Sequence, residues 1–216
     1  MDILGVAGVT KTIAIQYSLY TVTTKLFHLG ALTHTMSKTV PLAVDAFSAG
    51  QVESKIWAAE ELEKVATHTL KITILGGWYG LLHFILKSRD RQPIEWCRSY
   101  DLDPMACSVA NIVNNTWEMK EWAFRSYPQD ANTVAYGETN CVINTATEHF
   151  TTNQWFDNID DGVLCVLQGN DLELEDHVQR PTSLEHFKQM FALQTVLFEG
   201  EKKFNEYTRY MVIGHK

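Results

Sequence analysis

Residues 71–80, KITILGGWYG, constrain this chain more than any other stretch. Residues 72–75 are a short apolar run rich in β-branched side chains, which suits a buried strand. Gly76, Gly77, Trp78, Tyr79 and Gly80 follow at once, and then Leu81, Leu82, Phe84, Ile85 and Leu86. The pattern reads as strand, glycine turn and helix. A backbone without Cβ folds sharply and lets a ligand approach its peptide groups closely. An open parallel α/β sheet begins its nucleotide site in this order. A plain packing turn has the same local signature, so the rest of the chain has to decide.

Upstream, Val52, Ile56, Ala59, Leu62, Ala66 and Leu70 recur at three- or four-residue spacing, with Glu53, Glu60, Glu61, Glu63 and Lys64 on the other face. This predicts an amphipathic helix over 51–70 that leads straight into the first strand. Residues 1–50 are rich in Thr, Ala, Leu and Val without a strong period, and short helices are expected there. Downstream, further strands are expected at 95–100, 122–126, 141–144 and 162–168, and a closing pair at 194–199 and 207–214. Asp103 can cap a helix with Pro104 at its first position, and Met105, Val109 and Val113 are expected along its buried face. A helix is expected to carry Trp155 and Phe156. Thr182 to Glu185 has the form of a capping box, with Leu184, Phe187 and Phe191 behind it. Alternating strands and helices predict an α/β fold: a mostly parallel sheet, helices on both faces and a C-terminal antiparallel hairpin. The expected organisation is an N-terminal helical extension, 1–70, and one domain, 71–216.

The formal charge of −8 disfavours a long nucleic-acid footprint, because the basic residues do not cluster beyond Lys202-Lys203 and Arg89/Arg91. Cys97, Cys107, Cys141 and Cys165 form no C-x-x-C pair, and three of them fall in or beside core elements. A reducing, cytoplasmic setting is expected. Asp2 and Lys11 argue against a secretory leader. No apolar run reaches the roughly 18 residues a membrane helix needs, so no span is expected.

From Lys71 to the C-terminus these features resemble a class I S-adenosylmethionine-dependent methyltransferase, a Rossmann-like fold with a seven-stranded sheet. The resemblance rests on the glycine turn, Asp101 after the second strand, Asp130 after the third, the motif after the fourth and the terminal hairpin. It implies that Gly76, Gly77, Trp78, Tyr79 and Gly80 pass under S-adenosylmethionine. It implies that Asp101, with Leu102 beside it, accepts from the ribose hydroxyls, a task that suits a carboxylate. Asp130 would accept from the adenine amino group, or stand as a loop carboxylate. Asn144 would touch cofactor or substrate. The chain departs from the family's first motif at Ile74, where an acid is usual, and at Trp78, where the middle glycine is usual. The acid usually helps hold the cofactor's amino group; in its place Gln51, Ser54 and Lys55 of the N-terminal helix are polar candidates to hold that group, or binding is weak, or a related ligand is used.

Glu148 and His149 follow the fourth strand at the start of an expected helix, and His177 follows the fifth. The set is similar to the E-x-x-E-H motif of metal-dependent small-RNA 2′-O-methyltransferases and ubiquinone-pathway O-methyltransferases, with Thr145 replacing the first glutamate. The resemblance implies a site for Mg²⁺, Mn²⁺, Fe²⁺ or Zn²⁺ on Glu148, His149 and His177. Alternatively Glu148 and His149 are catalytic without a metal, His149 as general base, or all three residues are structural. The expected activity is methyl transfer to an oxygen or nitrogen of a small molecule. Metal-assisted RNA 2′-O-methylation and a non-methylating S-adenosylmethionine-binding protein or enzyme are the alternatives.

Overall fold

The structure, a computed structural model, describes residues 44–115 and 123–216. The expected short helices before residue 44, and Trp122 at the expected start of the third strand, lie outside the described residues. Helix α1 (Ala49–Val65) is capped by Ser48, which accepts from the Gln51 N–H. It ends five residues before the sequence-based boundary. Thr67, His68 and Thr69 are weak helix formers, and Leu70 belongs instead to strand β1 (Leu70–Leu75), paired with Ile94. Helix α2 (Leu81–Arg89) follows the glycine turn. Strand β2 (Ile94–Asp101) leads to helix α3 (Pro104–Val113), which Asp103 caps by accepting from the Met105 N–H. Strands β3 (Phe124–Pro128), β4 (Cys141–Asn144) and β5 (Leu164–Asn170) follow, with the short helix α4 (Gln154–Asp157) between the last two. Helix α5 (Leu184–Met190), strand β6 (Thr195–Lys203) and strand β7 (Thr208–His215) complete the chain.

The seven strands form one sheet in the order β3-β2-β1-β4-β5-β7-β6. Every pair from β3 to β5 is parallel, and β7 runs antiparallel to both β5 and β6. The order reverses between β1 and β4, which creates the crevice where open α/β sheets bind ligands.

Period-two alternation sends side chains to two cores. One holds Ile72, Ile74, Ile143, Val166, Met211 and Ile213 under Ala58, Ala59 and Leu62 of α1, Ile85 of α2 and Val109 of α3. The other holds Val142, Cys165, Leu167 and Val212 under Trp155, Phe156, Phe187 and Phe191. Helix α1 is thus part of the same core as the sheet, and Gln168 Nε2 donates to the Ser54 carbonyl at 3.0 Å to fix its position. All four cysteines are buried and reduced.

Three local expectations are corrected. Met105 is exposed, and the buried face of α3 is Ala106, Cys107, Val109, Ala110 and Val113, because at about 3.6 residues per turn Met105 falls at the rim of the arc that Ala106, Ala110 and Val113 centre. The cap of α5 is Ser183, not Thr182: its hydroxyl accepts from the His186 N–H at 3.1 Å, and Thr182 contacts the His186 ring. Glu148 and His149 sit on a 3-10 turn, Thr147–His149, that does not continue into a helix. Among the described residues no helix is long and apolar enough to cross a membrane.

Candidate functional site

A cavity of about 490 Å³ opens along the carboxyl ends of the parallel strands. That volume lies within the range of small-molecule sites. One end is built by the loops after β1, β2 and β3, and the other by the loops after β4 and β5, the N-terminal part of α1 and Arg209 at the start of β7.

At the first end, Gly76 adopts a left-handed φ of +61° and lines the cavity. Only a residue without Cβ takes this conformation freely. Trp78 takes φ +46°, a conformation costing a bulky residue about 1 kcal/mol or more. Its N–H donates to Asp101 Oδ2 at 2.8 Å, which holds the turn in place. The Asp103 N–H donates to Asp101 Oδ1 at 3.0 Å. Both carboxylate oxygens are therefore fixed by backbone donors, and each keeps lone-pair capacity toward the cavity. Asp130 caps a short turn by accepting from the Asn132 N–H at 2.9 Å and also lines the wall, as does the exposed Leu102.

Four of the sequence-predicted cofactor residues stand outside the lining. Gly77 faces Ser99, whose Oγ would lie 1.9 Å from an added Cβ, so the turn is packed directly on β2. Tyr79 is buried against Phe47. Gly80 caps α2 beside Asn114. Asn144 is fully buried and its Oδ1 accepts from the Ala146 N–H at 2.9 Å, shaping the loop that carries Glu148.

At the other end, adjacent parallel strands β4 and β5 bring Glu148, His149 and His177 together, with candidate ligand atoms within 4.8 Å of one another. Thr147 Oγ1 donates to the Gln168 carbonyl at 2.9 Å, and the Gln179 N–H donates to the Glu148 carbonyl at 3.0 Å; together they pin both loops. His177 Nδ1 lies 2.8 Å from the Leu172 carbonyl. A carbonyl only accepts, so Nδ1 carries the proton and Nε2 the lone pair. His149 Nδ1 lies 3.1 Å from Asp176 Oδ2, which favours the same tautomer. The two rings meet edge to face with centroids 4.6 Å apart. Glu148 is 2% exposed; Asn170 donates to its Oε1, and its Oε2 has no partner among the described residues. A buried, unpaired carboxylate oxygen beside two imidazoles with outward lone pairs is a donor set that suits Mn²⁺, Fe²⁺ or Zn²⁺ better than Mg²⁺.

Two cations complete this end. Lys55 of α1 donates to Gln51 Oε1, and burial followed by the neighbouring Arg209 charge lowers its pKa to about 7. Arg209 is 3% exposed, donates from Nη1 to the Thr145 carbonyl at 2.9 Å and holds Nη2 3.8 Å from Glu148 Oε1. Arg209 and Asn170 escaped the sequence reading. The available signal was polar residues interrupting apolar strands at positions that register beside each other, Asn170 with Arg209.

No known family profile matches the chain, and no curated protein matches it in sequence. Its structure is similar to magnesium protoporphyrin IX methyltransferase from Synechocystis PCC 6803 with S-adenosylhomocysteine bound: TM-score 0.61, 10% identity, 77% of this chain and 84% of that one. The YcgJ protein from Bacillus subtilis gives 0.57 at 10% identity over 74% and 98%. TrmK from M. capricolum, in complex with S-adenosylhomocysteine, gives 0.54 at 9% identity over 73% and 67%. The chain has the fold of the class I S-adenosylmethionine-dependent methyltransferases.

Proposed function

We propose that this protein is an S-adenosylmethionine-dependent methyltransferase acting on an oxygen or nitrogen of a small molecule. The observation that carries the reading is Asp101. Its carboxylate is locked by the Trp78 and Asp103 N–H groups at one end of a cavity whose other end is lined by Glu148 and His149, with His177 beside them but outside the lining. An adenosyl group with its ribose hydroxyls on Asp101 would direct its sulfonium methyl toward those side chains. The sulfonium is already activated, so alignment does most of the work. In the transfer the acceptor's lone pair forms a bond to the methyl carbon as the carbon–sulfur bond breaks, leaving S-adenosylhomocysteine. His149, oriented through Nδ1 by Asp176, would receive the acceptor's proton at Nε2. The alternative use of the same cluster is a divalent cation, which Glu148, His149 and His177 would hold; when bound it supplies Lewis-acid lowering of a hydroxyl pKa, and His149 Nε2 is then a ligand and not a base.

RNA 2′-O-methylation draws on the same cluster, but Asp101, Asp130 and Asp176 line this cavity, and acidic walls repel a phosphate backbone. Calorimetric titration of S-adenosylhomocysteine into wild type and Asp101→Ala tests the reading. Affinity lost by roughly tenfold or more in the variant supports it, since hydrogen bonds to a charged group contribute about 1.5–3 kcal/mol. Equal binding to both proteins, or to neither, would count against it.

A further inference from the structure

Among the described residues Lys55 and Arg209 are the two Lys/Arg side chains of the cavity wall, and both are more than nine-tenths buried. Burying a charge is costly unless it is paired. Their pairing is incomplete. The hydrogen-bond acceptor facing Lys55 is the neutral amide oxygen of Gln51. Arg209 gives one nitrogen to a neutral carbonyl, and its Nε has no partner among the described residues. The buried anion beside the pair is Glu148, which Asn170 already occupies at Oε1. Asp45 and Asp176 are exposed, and His149 turns toward Asp176. Two buried cations thus face one buried carboxylate, an excess of one positive charge aimed into a cavity that is otherwise acidic.

We propose that Lys55 and Arg209 form a subsite for the carboxylate of a molecule bound in this cavity. The charge excess matches a monoanion; a phosphate dianion would overfill it and meet Asp101, Asp130 and Asp176 along the rest of the wall. The Arg209 guanidinium can take one oxygen and the Lys55 ammonium the other. Burial and then the Arg209 charge lower the pKa of Lys55, and Glu148 and Asp45 offset them only in part. Asp101 on β2 and Arg209 on β7 are four strand positions apart, about 19 Å at about 4.8 Å per strand. The subsite therefore belongs to the end where transfer would occur. The carboxylate comes either from the amino-acid part of S-adenosylmethionine or from the methyl acceptor. Placing it at the transfer end rests on the methyltransferase reading.

The test uses the whole protein and Lys55→Met, with 5′-methylthioadenosine, S-adenosylhomocysteine, benzoate and benzamide as probes. 5′-Methylthioadenosine keeps the nucleoside and lacks the amino acid. A cofactor carboxylate predicts that Lys55→Met loses roughly tenfold in affinity for S-adenosylhomocysteine and keeps its affinity for 5′-methylthioadenosine, which also shows that the variant is folded. An acceptor carboxylate predicts unchanged affinity for both. Wild type saturated with S-adenosylhomocysteine then prefers benzoate to benzamide in ligand-observed NMR, and Lys55→Met loses that preference. If neither nucleoside binds wild type, the methyltransferase reading fails, and the benzoate preference of the ligand-free protein still decides the subsite. Unchanged S-adenosylhomocysteine affinity together with no benzoate preference in either protein overturns the proposal.

Discussion

Replacing Lys55 with methionine is expected to stabilise the ligand-free protein by an amount that depends on pH. The ammonium is buried beside Arg209 and Glu148, with Asp45 acting at longer range, and its pKa falls from 10.5 to about 7. Burial is the larger cause and the Arg209 charge the second. The folded value lies below the unfolded one, so the native state is penalised for keeping this proton. Below pH 7 both states are protonated and the full penalty applies; at roughly 1.36 kcal/mol per pH unit it is about 5 kcal/mol. Between pH 7 and 10.5 the unfolded chain binds the extra proton, so wild-type stability rises with pH, and at pH 9 about 2 kcal/mol of penalty is left. Methionine keeps the length of the side chain and buries no charge. Urea denaturation is therefore expected to find Lys55→Met more stable by up to about 5 kcal/mol at pH 6 and about 2 kcal/mol at pH 9. The change of about 3 kcal/mol between the two pH values is the sharper figure, because packing differences cancel in it. The same substitution weakens the carboxylate subsite, an exchange of function for stability. A variant with the same advantage at both pH values, or with none at pH 6, refutes the reasoning.

Buried His83, which pairs with Asn114 through Nδ1 and lies against Phe124, has its pKa lowered to about 4, mainly by burial. Between pH 6.5 and 4 the unfolded chain binds the proton and the native state does not, so this residue removes about 3 kcal/mol of stability on acidification. His83→Gln is expected to flatten that part of the pH–stability curve, and an unchanged slope contradicts the assignment. Gly77→Ala drives a Cβ to 1.9 Å from Ser99 Oγ, which is expected to cost about 1–3 kcal/mol, with partial recovery in Gly77→Ala/Ser99→Gly by urea denaturation. Mn²⁺ or Zn²⁺ is expected to raise the melting temperature of wild type through linkage, and Glu148→Gln and His177→Ala are expected to lose the shift. Equal shifts in all three proteins would remove the metal from the account.

The parts legible in the sequence were those fixed by local chemistry. Three apolar residues, Cys141, Val142 and Ile143, followed by Asn144 gave strand β4 with the bounds the structure has, and Asp103-Pro104 marked the start of α3. The glycine turn was legible as a turn, but not which of its glycines face the cavity. Gly77 meets Ser99, and that contact depends on the register of β1 against β2. The approach of His177 to Glu148 and His149 followed from the fold the resemblance implies, in which the loops after the fourth and fifth strands leave the sheet at the same end. Arg209 was not legible by that argument. It stands at the beginning of a strand, and only the antiparallel direction of β7 brings that beginning to the same edge. Asn170 was read as loop because the apolar run ends before it, whereas pairing with Arg209 extends β5 that far.

On the proposed function, one cavity holds the adenosyl group at Asp101 and presents its sulfur to Glu148 and His149. A crystal structure of the complex with S-adenosylhomocysteine is the sharpest test. The expected complex has both ribose hydroxyls on the Asp101 carboxylate, the adenine beside Leu102 and Asp130, and the thioether sulfur turned toward the Glu148–His149 turn. A nucleoside bound elsewhere, or bound here with its sulfur turned away from that turn, would contradict it.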